Sequence, residues 1–139
     1  MNFQLITLAG VKYAADVYSV QLPTASGEET VLPNHEPLMS VLKPGVITVR
    51  RNANDPDHAL EHYATYGGVV EVMGGKVQVL VDEADDEVNE AEAEKARAAA
   101  EKLLGEAKNQ VELEHAQALV DRHAVRLQVA GLKRRHSRH

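Results

Sequence analysis

Along this 139-residue chain, apolar residues alternate with polar ones for roughly the first eighty positions, and the period then changes. Phe3 to Leu8 is apolar on both faces and reads as a strand broken by Gly10. From Asp16 to Leu22, Tyr18, Val20 and Leu22 share one face and Val17 and Gln21 the other, as in a half-buried strand. Pro23 is expected to end that strand, and Ala25-Ser26-Gly27 to turn the chain. Gly45 to Arg51 and Leu60 to Tyr66 are two further strand-like runs, separated by Asn52 to His58, which has the composition of an exposed hairpin loop. Gly67-Gly68 marks a bulge or tight corner. Val69 to Met73, Gly74-Gly75 and Lys76 to Val81 form the clearest hairpin, two β-branched runs around a dipeptide suited to a primed turn.

Between these runs lies the segment Gly27 to Gly45. Pro33, Pro37 and Pro44 fix φ and remove donors, so no helix forms there. Val31-Leu32, Leu38-Met39 and Val41-Leu42 sit between the breaks, which predicts short strands joined by sharp corners in a small sandwich or barrel.

At Asp82 the pattern shifts to Ala, Glu, Lys and Arg. Asn89 followed by Glu92, and Asn109 followed by Glu112, are capping-box patterns that open two helices of about 18 to 22 residues, each ~30 Å long. Ala96, Ala100, Leu103 and Ala107 form one face of the first helix. On the second, Ala116, Leu119, His123, Leu127 and Ala130 form a stripe with Val125, Val129 and Leu132 beside it. A face made mostly of alanine buries little area, so at ~25 cal/mol per Å2 it contributes only a few kcal/mol. A hairpin held so weakly is able to detach.

Charge sharpens this division. Residues 82 to 114 hold twelve acidic side chains against four basic ones, whereas 122 to 139 hold six Lys/Arg and no acid. The net charge of −6 argues against a nucleic-acid binder. No run is apolar enough to insert in a bilayer, and the alternating start is unlike a signal peptide. With no cysteine, disulfides, thiolate metal sites and cysteine nucleophiles are excluded.

No catalytic constellation stands out: there is no nucleophile elbow and no phosphate-binding Gly-rich loop. His58 and His62 straddle a loop and a strand, and His136 and His139 lie in a basic tail, so no metal site is expected. The acidic run Asp82 to Glu87 suits a solvated linker between two units, 1–84 and 85–139.

Several short motifs then line up in order. They are Leu22-Pro23-Thr24, Gly27-Glu28, Leu32-Pro33-Asn34-His35-Glu36-Pro37-Leu38, Lys43-Pro44-Gly45, Tyr63-Ala64, Gly67 to Val72, Lys76-Val77, Val79 to Asp82 and Arg126-Leu127. Together they resemble the epsilon subunit of the rotary ATP synthases, along nearly the full length.

The resemblance implies an α+β fold, an N-terminal antiparallel β-sandwich of about ten strands followed by a C-terminal two-helix antiparallel hairpin. It implies a non-catalytic rotor subunit seated on the gamma subunit and the membrane ring of c subunits. The site would be the cytoplasmic face of a bacterial inner membrane, or the stromal side of a thylakoid, with no cofactor. Glu28 and His35 fall at the positions that meet the ring. From the residues alone, His35 serves equally as a local hydrogen-bonding group in its corner. The resemblance further implies that the hairpin extends along gamma and hinders ATP hydrolysis. Arg122, Arg126, Lys133, Arg134 and Arg135 would then meet the catalytic alpha and beta subunits, and in the compact state they would pair with the acidic first helix.

Some relatives bind ATP through an apolar-Asp-x-x-Arg-Ala pattern, which here reads Val88-Asn89-Glu90-Ala91-Glu92-Ala93. Glu92 stands where a guanidinium would meet phosphate, so weak or no ATP binding is expected. Thr30 also replaces the family's usual glycine before the apolar pair. Two other classes remain open on sequence grounds: a free-standing sandwich with a helical adaptor arm, and a small enzyme or nucleotide sensor.

Overall fold

The structure, a computed structural model, describes residues 1–136. Eight strands precede two helices: β1 (Asn2–Thr7), β2 (Gly10–Asp16), β3 (Ser19–Thr24), β4 (Gly27–Val31), β5 (Leu38–Arg50), β6 (Glu61–Met73), β7 (Lys76–Val81), β8 (Ala84–Asp85), α1 (Glu90–Glu106) and α2 (Gln110–His136). The α+β fold is therefore the expected one. All strands belong to one hydrogen-bonded sheet, ordered β2-β1-β7-β6-β5-β3-β4, with β8 added to β6.

Eight strands stand where about ten are expected, and two long strands make the counts compatible. β5 and β6 are 13 residues each and pair in a single register from Leu38↔Val72 to Val49↔Glu61. Both run through the two layers of a folded-over sheet. The second half of β6 pairs with β7, and its first half with β8. Counted once in each layer, β5 and β6 give two five-stranded layers. The crossover lies where Pro44 of β5 stands opposite Tyr66 of β6, beside Gly67 and Gly68. Leu42 and Ile47 both enter the core although five residues apart, so the alternation of β5 slips in this stretch. Pro44 thus lies inside a strand, where proline is tolerated only at an irregularity of the ladder.

Gly68 makes the crossover possible. Its φ is +153°, and a Cβ there would lie 2.2 Å from the Leu80 carbonyl oxygen. The Gly74-Gly75 turn has φ of +55° and +77°, both positive as the primed hairpin turn requires.

Three smaller expectations are corrected. Gly10 starts β2 instead of merely ending β1. The run Asp16 to Leu22 is divided at Val17 and Tyr18 between β2 and β3. Pro23 does not end β3, which continues to Thr24. The loop after β5 is as expected, with one short 3-10 turn at Asp57–Ala59.

A single core fills the space between the layers. Phe3, Leu5, Val20, Leu22, Val31, Ile47, Val49, Val77 and Val79 are all fully buried in it. Phe3, Tyr13 and Tyr63 form a chain of tilted and edge-on ring contacts at its rim.

Asn89 caps α1, its side-chain oxygen accepting from the Glu92 N–H at 3.0 Å, and Asn109 does the same for Glu112 at 2.9 Å. α1 has 17 residues and α2 has 27, so α2 outruns the expected length at about 40 Å. α1 packs on α2, and α2 rests on β5 and β6. Val125 and Val129 bury against Ala64, with Val46, Tyr66 and Val88 around them. On α1 the buried residues are Ala93 and Ala100, while Leu103 of the expected face is half exposed.

Candidate functional site

Where α2 crosses the sheet, charged and aromatic side chains from four segments converge. Glu83 precedes β8, Asp85 belongs to it, Tyr66 lies on β6, and Glu92 on the first turn of α1. On α2, Arg122, His123 and Arg126 occupy one and a bit turns facing them. Arg122 lies over the Tyr66 ring, 4.2 Å from its centroid, and donates to the Glu83 carboxylate. The Tyr66 hydroxyl donates to Asp85 at 2.7 Å. Arg126 forms a fork with Glu92, one arm at 3.3 Å and the other closer. Its Nη1 also donates to Nδ1 of His123 at 3.1 Å. Farther along, Arg134 pairs with Glu90.

Electrostatics follow from this geometry. The Arg126 hydrogen bond holds the Glu92 carboxyl below its ordinary range, and Glu92 in turn raises the Arg126 guanidinium. Burial, then Arg126 and Arg122, push the His123 imidazole below its ordinary value, with Glu92 opposing. Burial first, and then its hydrogen bond to Asp85, raises the Tyr66 phenol.

Of the five basic residues singled out in sequence, two pair with the first helix, Arg126 with Glu92 and Arg134 with Glu90, whereas Arg122 pairs with Glu83, between β7 and β8. Lys133 borders a shallow hollow with His58, Glu61 and Asp86, and Arg135 borders another with Gln21, Glu28 and Thr48. The Glu92 carboxylate turns toward Arg126 instead of closing a capping box with Asn89. His139 lies outside the described residues, and of His136 only the backbone is described. Among the described residues no three His, Asp or Glu side chains cluster as metal ligands.

Glu28 and His35 are not brought together. Glu28 accepts from Gln21 at 2.8 Å on the outer face of the β3–β4 pair. His35 follows a tight turn in which its N–H bonds the Leu32 carbonyl at 3.2 Å, with Pro33 and a positive-φ Asn34 (67°) between them. Its ring contacts the Glu36 carbonyl at 2.7 Å and Glu29 at 3.4 Å.

A second surface was not singled out in sequence. On the outer side of the layer that α2 leaves uncovered, Val41, Val69, Leu80, Ile6 and Val11 are successive register partners across β5, β6, β7, β1 and β2. Val41 is 60% exposed, Val69 43%, Leu80 46% and Val11 62%, with Met39, Met73 and Leu8 nearby on the same strands or their ends. Strands apolar on both faces, as Phe3 to Leu8 already are in sequence, carried the signal for it.

Comparison with known proteins fits this architecture. Residues 1–87 match the model of the ATP synthase delta/epsilon chain beta-sandwich domain. The chain belongs to this family. An ATP synthase epsilon chain of Sinorhizobium fredii is 35% identical over 72 residues, 52% of this chain and 51% of that one. One from Rhodopseudomonas palustris is 34% identical over 71 residues, 51% of this chain and 49% of that one. The chain thus spans about half the length of the epsilon chains it matches in sequence. In fold the likeness extends through the helices. A chain of the Euglena gracilis mitochondrial ATP synthase superposes with a TM-score of 0.78 at 20% identity, covering 94% of this chain and 79% of that one. A chain of the Tetrahymena thermophila mitochondrial ATP synthase central stalk and c-ring gives 0.60 at 16% identity, covering 92% and 94%. The chain pairs the family's sandwich with a helical hairpin, and among the described residues no helix is long and apolar enough to cross a membrane.

Proposed function

We propose that the chain is the non-catalytic rotor subunit of a proton-translocating ATP synthase, seated at the base of the central stalk. The observation that carries this reading is the apolar row Val41-Val69-Leu80-Ile6-Val11, a bare outer sheet face within a domain of this family. A contiguous exposed apolar patch of this kind serves as a docking surface. Its occupant in this reading is the gamma subunit, and the sandwich, residues 1–84, is the part that grips it. Glu28 and His35 are assigned to the polar loops of the c ring, at two separate points of the sandwich. The complex sits on the coupling side of the membrane, the cytoplasmic face in a bacterium or the stromal side in a plastid.

In the same reading residues 85–139 act as a brake on ATP hydrolysis, with Arg122, Arg126, Lys133, Arg134 and Arg135 turning to the alpha and beta subunits when the hairpin extends. ATP itself binds weakly or not at all, because Glu92 places a carboxylate where a guanidinium would meet phosphate.

Copurification with gamma tests the docking. Val69→Asp places a charge in the middle of the row, and gamma is expected to be lost from the complex while the circular dichroism of the isolated chain is unchanged. A complex that survives this substitution at full stoichiometry rules the row out as the gamma contact. For the brake, removing residues 87–139 is expected to raise ATPase activity of the assembled complex; unchanged hydrolysis removes the inhibitory role. Calorimetric titration with ATP and magnesium is expected to show no saturable heat, and tight binding refutes the assignment of Glu92.

A further inference from the structure

We propose that His123 makes the closed hairpin acid-sensitive: its neutral imidazole holds Arg126 of α2 against Glu92 of α1, and protonation of the ring frees α1 from α2. The argument begins with donors. A guanidinium has only N–H groups to offer, so the 3.1 Å contact between Arg126 Nη1 and His123 Nδ1 requires an unprotonated Nδ1. The ring proton then sits on Nε2, and the imidazolium, which has no acceptor, cannot form this bond.

A charged ring would also lie beside two fixed cations. Arg122 and Arg126 flank His123 on its own helix, and Glu92 faces it from α1. From the sheet, Tyr66 and Asp85 act on Arg126, and the Tyr66 ring lies under Arg122. Glu92 is fully engaged by the Arg126 fork, so one carboxylate would face three positive groups.

This matters because Arg126 holds a central place. Its side chain is only 16% exposed, against 51% for Arg134. The apolar contact that α1 offers α2 is small, because the buried residues of α1 are the alanines Ala93 and Ala100. Polar groups therefore carry a larger share of docking than in a leucine-rich interface.

The direction in pH follows. The His123 ring titrates below its ordinary 6.5 in the docked state. Its contribution to docking is fully present above that value and is lost as pH falls through the lower, docked-state value. Glu92 is displaced in the same sense but from 4.5, so it responds only to stronger acid. The histidine sets the sensitive window, which opens below pH 6.5. The effect on ATP hydrolysis rests on the brake reading above; the opening itself does not.

The experiment uses the full chain, which contains no cysteine, so Asn54→Cys and Lys102→Cys give a unique pair of label positions, one on the sandwich and one on α1. Energy transfer between the labels is expected to fall between about pH 7.5 and about pH 5.5, with a midpoint matching the His123 ring titration followed by NMR. In His123→Gln, whose amide oxygen accepts from Arg126 at every pH, the fall is expected to vanish. Glu92→Gln is expected to lower the transfer already at about pH 7.5. A flat profile in the parent chain, an unchanged profile in His123→Gln, or an unchanged signal in Glu92→Gln overturns the proposal. Should His123→Gln prove open at all pH, the NMR comparison decides: midpoints agreeing within about half a pH unit support the latch, and a larger gap overturns it. If opening is seen but the ATPase of the assembled complex ignores pH in this window, the brake reading fails and the latch stands.

Discussion

Gly68 is the residue whose identity the fold constrains most tightly. The space its Cβ would need is filled by the Leu80 carbonyl oxygen at 2.2 Å and by Val81 Cγ1 at 2.8 Å, and backbone on a paired strand cannot move aside. Gly68→Ala is expected to lower sandwich stability by a few kcal/mol, read as a reduced urea midpoint with little change in slope. At the same scale, His35 gains its ordered position from Glu36 and Glu29, so a local role in its corner and a contact role at the ring are compatible. The turns at Ala25-Ser26-Gly27 and Gly74-Gly75 were legible in sequence, because glycine carries its backbone rule with it. Which acid pairs with Arg126 was not, since Glu90, Glu92 and Glu94 are equally spaced candidates and only the crossing of two helices selects one.

Elements differ in how far local chemistry decides them. The two helix starts were readable because asparagine followed by glutamate three residues later satisfies orphan N–H groups locally. Asn89→Ala is expected to destabilise the start of α1 by ~1 kcal/mol. Faster amide exchange at Ala93 and Ala96, with strand amides unaffected, is the measurement that checks it. The far ends of strands were harder to read. Pro23 and Pro44 have the local character of strand breakers, yet both lie inside strands, because each occupies an irregular stretch where the β3–β5 register shifts. The 13-residue lengths of β5 and β6 come from pairing with each other through the crossover, a long-range effect that a short sequence window does not contain. Leu103 likewise sits on a plausible helical stripe, but α2 takes the face led by Ala93 and Ala100, leaving it half exposed.

At the scale of the whole molecule, one sheet serves two purposes. The outer side of one layer is covered by α2, and the outer side of the other is left bare and apolar. Docking of the helices rests on a small apolar seat and on ion pairs at the surface, of which exposed examples contribute only ~0 to 1 kcal/mol each. Raising sodium chloride to about 1 M is therefore expected to weaken docking, since the screening length shrinks to about 3 Å. Limited proteolysis in the 86–89 linker, quickened by salt while the sandwich remains intact, is the readout. Removing residues 87–139 strips α2 from Val46, Ala64 and Tyr66. The remaining sandwich is expected to keep its fold, since its core does not draw on the helices, but to bind a hydrophobic dye more strongly than the full chain does.

By itself the sequence determined the division into a pleated half and a helical half, the turns, the caps and the family, because these depend on period, on backbone-restricting residues and on words a few residues long. The tertiary structure decided the rest. It alone joined Val41, Val69, Leu80, Ile6 and Val11 into one row, from five strands spread over seventy positions. It alone brought His123 and Arg126 to Glu92, more than thirty residues earlier in the chain. Strand pairing and helix crossing set such neighbours, and both are properties of the packed chain with no local signature.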